Sequence, residues 1–136
     1  WADGFLSELG IEYYNDALNK IGDVAKTQDV LRLFMVPGMG HCMGGPGADT
    51  FGQYIRAVSD APSHHIIRAL EAWVEQGVAP EKITAAKYQG HVILNPGKEV
   101  LFTRPLCVYP QVPVYKGTGD IKKASSFECK QGPTLQ

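Results

Sequence analysis

A glycine-rich loop set behind an apolar run constrains this chain more than any other feature: residues 33–51 read LFMVPGMGHCMGGPGADTF. The run stops at Pro37-Gly38, and residues 38–47 then contain five glycines and one proline around the adjacent pair His41-Cys42. Such a backbone can take positive φ and approach another group closely, at a cost in chain entropy. Read locally, a buried strand delivers an imidazole to a surface turn. Histidine suits proton transfer near neutral pH, and loops at strand ends are common mounts for such groups.

With 136 residues and 44% apolar composition, the chain has material for one compact domain. It opens on Trp1, without a charged segment leading into an apolar one, and no apolar run nears the roughly 20 residues of a membrane helix. The expectation is a soluble fragment or processed product whose targeting segment lies elsewhere. Lysine and arginine number 13 against 14 acidic residues, net charge -1, and no basic stripe extends beyond Lys122-Lys123. Neither nucleic acid nor an anionic membrane is therefore an expected partner.

Three cysteines make an odd count without a C-x-x-C pair, against thioredoxin-like motifs and the usual zinc spacings. If Cys107 and Cys129 were to pair, the closed loop of about 20 residues would add roughly 3 kcal/mol on the chain-entropy model and hold down a polar tail after Gly117. Cys42 would then be left over.

Ile11, Tyr14, Leu18 and Ile21 recur at helical spacing between Gly10 and Gly22, which predicts an amphipathic helix. A polar link, 23–29, follows. Residues 30–36 are β-branched and aliphatic with Arg32 the only charge, which predicts a strand covered on both sides. Helix then buried strand is the grammar of a parallel α/β sheet. Ser63 is a candidate N-cap for a second helix with Ile66, Leu70, Trp73 and Val74 on its apolar face, ended by Gly77 and Pro80. Residues 82–88 and 100–102 read as short strands, and 104–115, broken by Pro105, Pro110 and Pro113, as edge strand and extended coil.

His41 stands out for chemistry because of its setting past a buried strand. Cys42 reads as a small buried hydrophobe, an activated nucleophile or half of a bridge; as a sequence neighbour in an extended loop it points away from His41. Asp3 precedes the first helix in an Asp-Gly pair that, alone, is more often a turn. A hydrolytic triad needs a carboxylate to hold the imidazole, and Asp3, helix, strand, His41 is the order that α/β-hydrolases use. No G-x-S-x-G occurs, and Ser7, Ser59, Ser63, Ser125 and Ser126 lack a strand-turn-helix setting. His64-His65 opens the second helix and His91 sits in a turn; their spacing is that of solvated surface histidines, so no metal is expected.

The segments RLFMVPGMGHCMGGPGADTF, ALEAWVEQGVAP, RPLCVYPQVPVYKGTGD and SSFEC, in this order, resemble the C-terminal part of the tannase and feruloyl esterase family, secreted α/β-hydrolases acting on esters of aromatic acids. The opening WADGFLSELGIEYYNDAL is similar to the family's segment around its catalytic aspartate, matched by Asp3 and Tyr13-Tyr14. The resemblance implies His41 as general base and Asp3 as its orienting carboxylate. It implies a Cys107–Cys129 disulfide, and for Cys42 a bridge to a cysteine outside this chain that precedes the nucleophilic serine. The serine, the oxyanion hole and a substrate-selecting lid with a calcium site would also lie outside it, so no cofactor is expected here.

The expected fold class is thus α/β: residues 1–136 as a single partial domain, the C-terminal portion of an α/β-hydrolase, with last parallel strand and flanking helices, short edge strands and a disulfide-tied tail. The expected function is hydrolysis of hydroxycinnamic or gallic acid esters by a secreted or periplasmic serine esterase. This chain would supply His and Asp but be inactive by itself, its partner being the remainder of the hydrolase. The alternative is a non-catalytic α/β module that associates with another chain or dimerises. Thiol counting separates the two: one reactive thiol at Cys42 fits the hydrolase segment, and three free thiols fit an intracellular module. A third option, a small metal protein using Cys42, His64 and His65, would show stoichiometric zinc.

Overall fold

The computed structural model describes residues 7–54, 56–91 and 95–132. Helix α1, Ser7–Ile21, begins with Glu8 in its first turn and ends with Lys20 in its last, each charge favourable to the helix dipole. It buries Ile11 and Tyr14, with Leu18 packed beside them, as the spacing predicts, whereas Ile21, read on the same face, is exposed at the helix end. The link after it is not merely polar coil. Asp23 caps a one-turn helix α2, Val24–Gln28, its carboxylate accepting from the Lys26 N–H at 2.8 Å, while the buried Thr27 hydroxyl donates to the Asp23 carbonyl at 2.7 Å. Five residues are too few for a periodic signal, which is why 23–29 reads as a polar link.

Residues 31–36 are half-buried between two clusters, Val30 stands exposed, and the segment does not form the expected strand. Leu31, Leu33 and Met35 pack into one cluster with Ile11, Tyr14 and Tyr109; Phe34 and Val36 pack into another with Phe51, Ala69, Ile83, Ala85 and Leu106. That two-residue alternation is strand-like. Among the described residues, however, its ladder is the single antiparallel bridge Phe34↔Val108, with the Tyr109 N–H donating to the Leu33 carbonyl at 2.8 Å. The segment is an extended wall between two small cores. Arg32, its one charge, lies 5.4 Å over the Trp73 ring and donates to the carbonyls of Gln28 and Pro80 at 2.9 and 2.8 Å.

Helix α3, Ile66–Gln76, starts later than expected. His65, not Ser63, is the N-cap residue and makes no side-chain cap; the Ile66 N–H donates instead to the Phe51 carbonyl at 2.8 Å, and the Ser63 carbonyl is taken by the Thr84 N–H at 2.7 Å. Its buried side is Ala69 and Ala72, whereas Leu70 and Val74, expected inside, are 53% and 77% exposed. The left-handed Gly77 ends the helix as expected.

Strands β1, Lys82–His91, and β2, Asn95–Cys107, form an antiparallel pair running from Lys82↔Cys107 to His91↔Asn95, longer than apolar residues alone suggested. Backbone pairing continues through polar residues and past Pro105. Pro105 sits opposite Thr84, whose N–H points away to Ser63, so this is a pair in which a missing donor costs no ladder bond. His91 accordingly ends a strand and does not sit in a turn.

Strands β3, Gln111–Tyr115, and β4, Phe127–Gln131, form a second antiparallel pair. The Cys107–Cys129 disulfide joins it to the end of β2. Every ladder among the described residues is therefore antiparallel, and the last parallel strand of the expected fold is absent from them. A parallel partner alongside residues 30–36 would be required to make one.

Candidate functional site

The loop 38–47 is built on the β1–β2 pair. At its base the Gly47 N–H donates to the Gly38 carbonyl at 2.9 Å, and nearer the tip the Gly40 N–H donates to the Gly44 carbonyl at 3.0 Å. Glycine is required where these arms cross. Gly45 has φ +83°, and a Cβ there would collide with the Gly38 carbonyl oxygen. The chain then returns to the sheet, where Thr50 bridges Ala86 with hydrogen bonds of 3.1 and 2.8 Å, and Ala48, Asp49, Thr50 and Phe51 are buried.

His41 and Cys42 stand exposed in the bend at the loop tip. Cys42 is a free thiol and adopts φ 64°, a left-handed conformation that residues other than glycine rarely hold, so the loop is tightly curled rather than extended at that point. The Tyr54 phenol is pushed above its ordinary pKa by desolvation, then by its hydrogen bond with the Cys42 thiol and by that thiol's charge when ionised. Asp3 lies outside the described residues.

Two residues that sequence reasoning missed fasten the loop. The Asp49 carboxylate, its side chain only 4% exposed, accepts from the Gly44 N–H at 2.8 Å and pairs with Lys87 Nζ at 3.1 Å; the same ammonium donates to the Gly45 carbonyl at 2.7 Å. A carboxylate just past a glycine-rich turn is a recognisable acceptor for that turn's amides. Lys87 is 38 residues further on and carries no local signal.

The other histidines differ from each other. His64 Nδ1 lies 2.8 Å from the Ser63 hydroxyl, whereas His65 is half-buried, its ring against Gly52 and its Nδ1 enclosed without a hydrogen-bond partner, so His65 is not a solvated surface residue. Among the described residues, no three of histidine, cysteine, aspartate and glutamate come together as a metal-holding set. An apolar hollow of about 360 Å³ borders the loop base at Pro37 and Gly47, with Phe102, Leu106, Pro113 and Phe127 on its other walls. His41 is not among its lining residues.

In chemical terms the site is an accessible imidazole beside a free thiol, on a loop closed by backbone bonds and one largely buried ion pair. Known proteins place it in context. The family model described as tannase and feruloyl esterase matches residues 1–130. An uncharacterized esterase of Xanthomonas campestris is 49% identical over 147 residues, covering 98% of this chain and 25% of that protein. A probable feruloyl esterase B-2 of Neosartorya fischeri is 42% identical over 102 residues, covering 74% of this chain and 19% of its own length. The crystal structure of an esterase from Aspergillus oryzae superposes with a TM-score of 0.80 at 32% identity, over 94% of this chain and 25% of that one. The chain thus spans a quarter or less of the length of these relatives, and it belongs to the tannase and feruloyl esterase family.

Proposed function

We propose that this chain is the C-terminal part of a serine ester hydrolase acting on esters of hydroxycinnamic or gallic acid, and that His41 is its general base. The observation that carries the reading is an exposed imidazole on a fastened glycine loop, in a member of a family of ester hydrolases. His41 takes the proton from a serine hydroxyl, supplied by the remainder of the enzyme, as that oxygen attacks the ester carbonyl. It returns the proton to the departing alcohol, and then activates water to release the acid. Asp3 holds the ring in the productive tautomer and stabilises the imidazolium. Cys42, free and exposed in this chain, bridges to a cysteine beside the serine and so ties base to nucleophile.

The exposed apolar row Ile67, Leu70, Val74 and Val78 supports the same division of labour, because it offers the remainder of the hydrolase a surface to cover. The Cys107–Cys129 disulfide fits a secreted or periplasmic protein. The lid that selects among aromatic esters belongs to the part outside this chain. Assays of methyl ferulate and methyl gallate hydrolysis test the reading: the intact enzyme turns over at least one of them and the isolated 136-residue chain neither. Hydrolysis by the isolated chain at the rate of the intact enzyme overturns it.

A further inference from the structure

The loop that carries His41 needs more than its own backbone bonds to hold a fixed position. Ordering each of its residues costs backbone entropy, and the five glycines in 38–47 lose more of it than other residues do. Its internal bonds, Gly40 to Gly44 and Gly47 to Gly38, close the loop on itself without fixing its tip against the sheet. Met39 packs on the core beneath the loop and Tyr54 bonds the Cys42 thiol, while charged contacts to the loop backbone converge on Asp49 and Lys87. The Asp49 carboxylate accepts from the Gly44 N–H, Lys87 Nζ donates to the Gly45 carbonyl, and the two side chains are paired at 3.1 Å.

Both anchors are themselves held. The Asp49 N–H donates to the Ala86 carbonyl at 3.1 Å, and the Asp49 carbonyl accepts from the Gln53 side-chain amide at 2.6 Å. Lys87 sits where the β1–β2 register shifts, between Lys87 and Tyr88, the kind of irregularity that re-aims a side chain. The Lys87 side chain is 17% exposed and that of Asp49 4%, so solvent screens the pair weakly and its charge-assisted bonds are stronger than those of a surface pair.

We infer that Asp49 and Lys87 are positioning residues for His41, a latch that fixes the imidazole through the backbone of Gly44 and Gly45. The inference rests on the reading of His41 as general base. A latch of this kind acts on the chemical step and leaves substrate binding alone, because it controls where the base stands and touches no substrate.

The test uses the intact esterase with Asp49→Asn, Lys87→Gln and Lys87→Arg, reading kcat and KM on methyl ferulate together with hydrogen exchange of the amides in 38–47. Asp49→Asn and Lys87→Gln each lower kcat by about 10- to 100-fold, the scale of a misplacement near 1 Å, with KM changed less than about twofold. The Gly44 amide exchanges faster in both. Lys87→Arg, which keeps a cation on a long stem, recovers most of the rate lost in Lys87→Gln. If Asp49→Asn does not fold, Lys87→Gln, in a partly exposed strand position, decides alone. A folded Lys87→Gln protein with unchanged kcat, a rise in KM alone, or unchanged exchange at Gly44 overturns the latch. His41→Ala, assayed in parallel, separates the two readings: full activity there refutes the base, while the exchange measurement still judges whether Asp49 and Lys87 hold the loop.

Discussion

Two excursions leave the β1–β2 pair, and they are tied down by different means. The tail beyond Cys107 is fastened by the Cys107–Cys129 disulfide and a five-pair ladder from Gln111↔Gln131 to Tyr115↔Phe127. Arg104 adds to it, 4.5 Å over the Phe127 ring, and the Thr103 N–H donates to the Lys122 carbonyl at 2.8 Å. Among the described residues the loop 38–47 joins no ladder and makes no covalent link; its ties include two backbone bonds of its own, the packing of Met39 on the core and the Asp49–Lys87 pair. The tail begins inside the buried clusters, with Tyr109 packed against Ile11 and Tyr14, whereas the loop lends its neighbouring cluster only the partly buried Met39. The covalent tie serves a segment with a structural task, and the reversible polar tie serves the segment that carries His41.

The largest stability effect belongs to the tail. Removing the bridge with Cys107→Ser, whose partner lies 22 residues away, costs about 3 kcal/mol on the chain-entropy model, measured by urea unfolding. Amide exchange in 38–47 stays unchanged in that variant if the two ties are independent; acceleration there breaks the comparison. Next is Gly45→Ala, which must meet the Gly38 carbonyl at φ +83° and costs about 1–3 kcal/mol, with faster exchange confined to the loop. Asp23→Ala, touching neither excursion, removes the α2 cap and costs about 1 kcal/mol, a reference against which both are judged. Smallest is the exposed Glu128–Lys130 pair on β4. Its hydrogen bond from Lys130 holds the Glu128 carboxyl below its ordinary pKa. A lowered folded value gives stability present above the unfolded value and lost as pH falls through the folded one, so Glu128→Gln removes a slight acid dependence seen in unfolding midpoints.

Much of this was legible where a pattern is local. The spacing of Ile11, Tyr14 and Leu18 gave α1 its buried face, and the glycines around His41 marked the loop. The alternation in 30–36 was real, but whether an extended segment joins a ladder depends on what lies beside it, and only Val108 does so among the described residues. In α3 the large apolar residues suggested the buried face, yet Ala69, beside Ile83, Ala85 and Leu106, and Ala72 are the buried ones, and Leu70 and Val74 lie outward. At the site, His41 and Cys42 were visible as neighbours in a turn. The Asp49–Lys87 pair was not, because only the fold brings residues 38 apart together.

The central claim concerns the imidazole at position 41. Its most direct measurement is kcat/KM for methyl ferulate of the intact enzyme carrying His41→Ala, checked by circular dichroism for a retained fold. The account predicts a loss of about 10³-fold or more, the scale for removing a general base that serves a serine nucleophile. A folded variant within tenfold of the parent would contradict it.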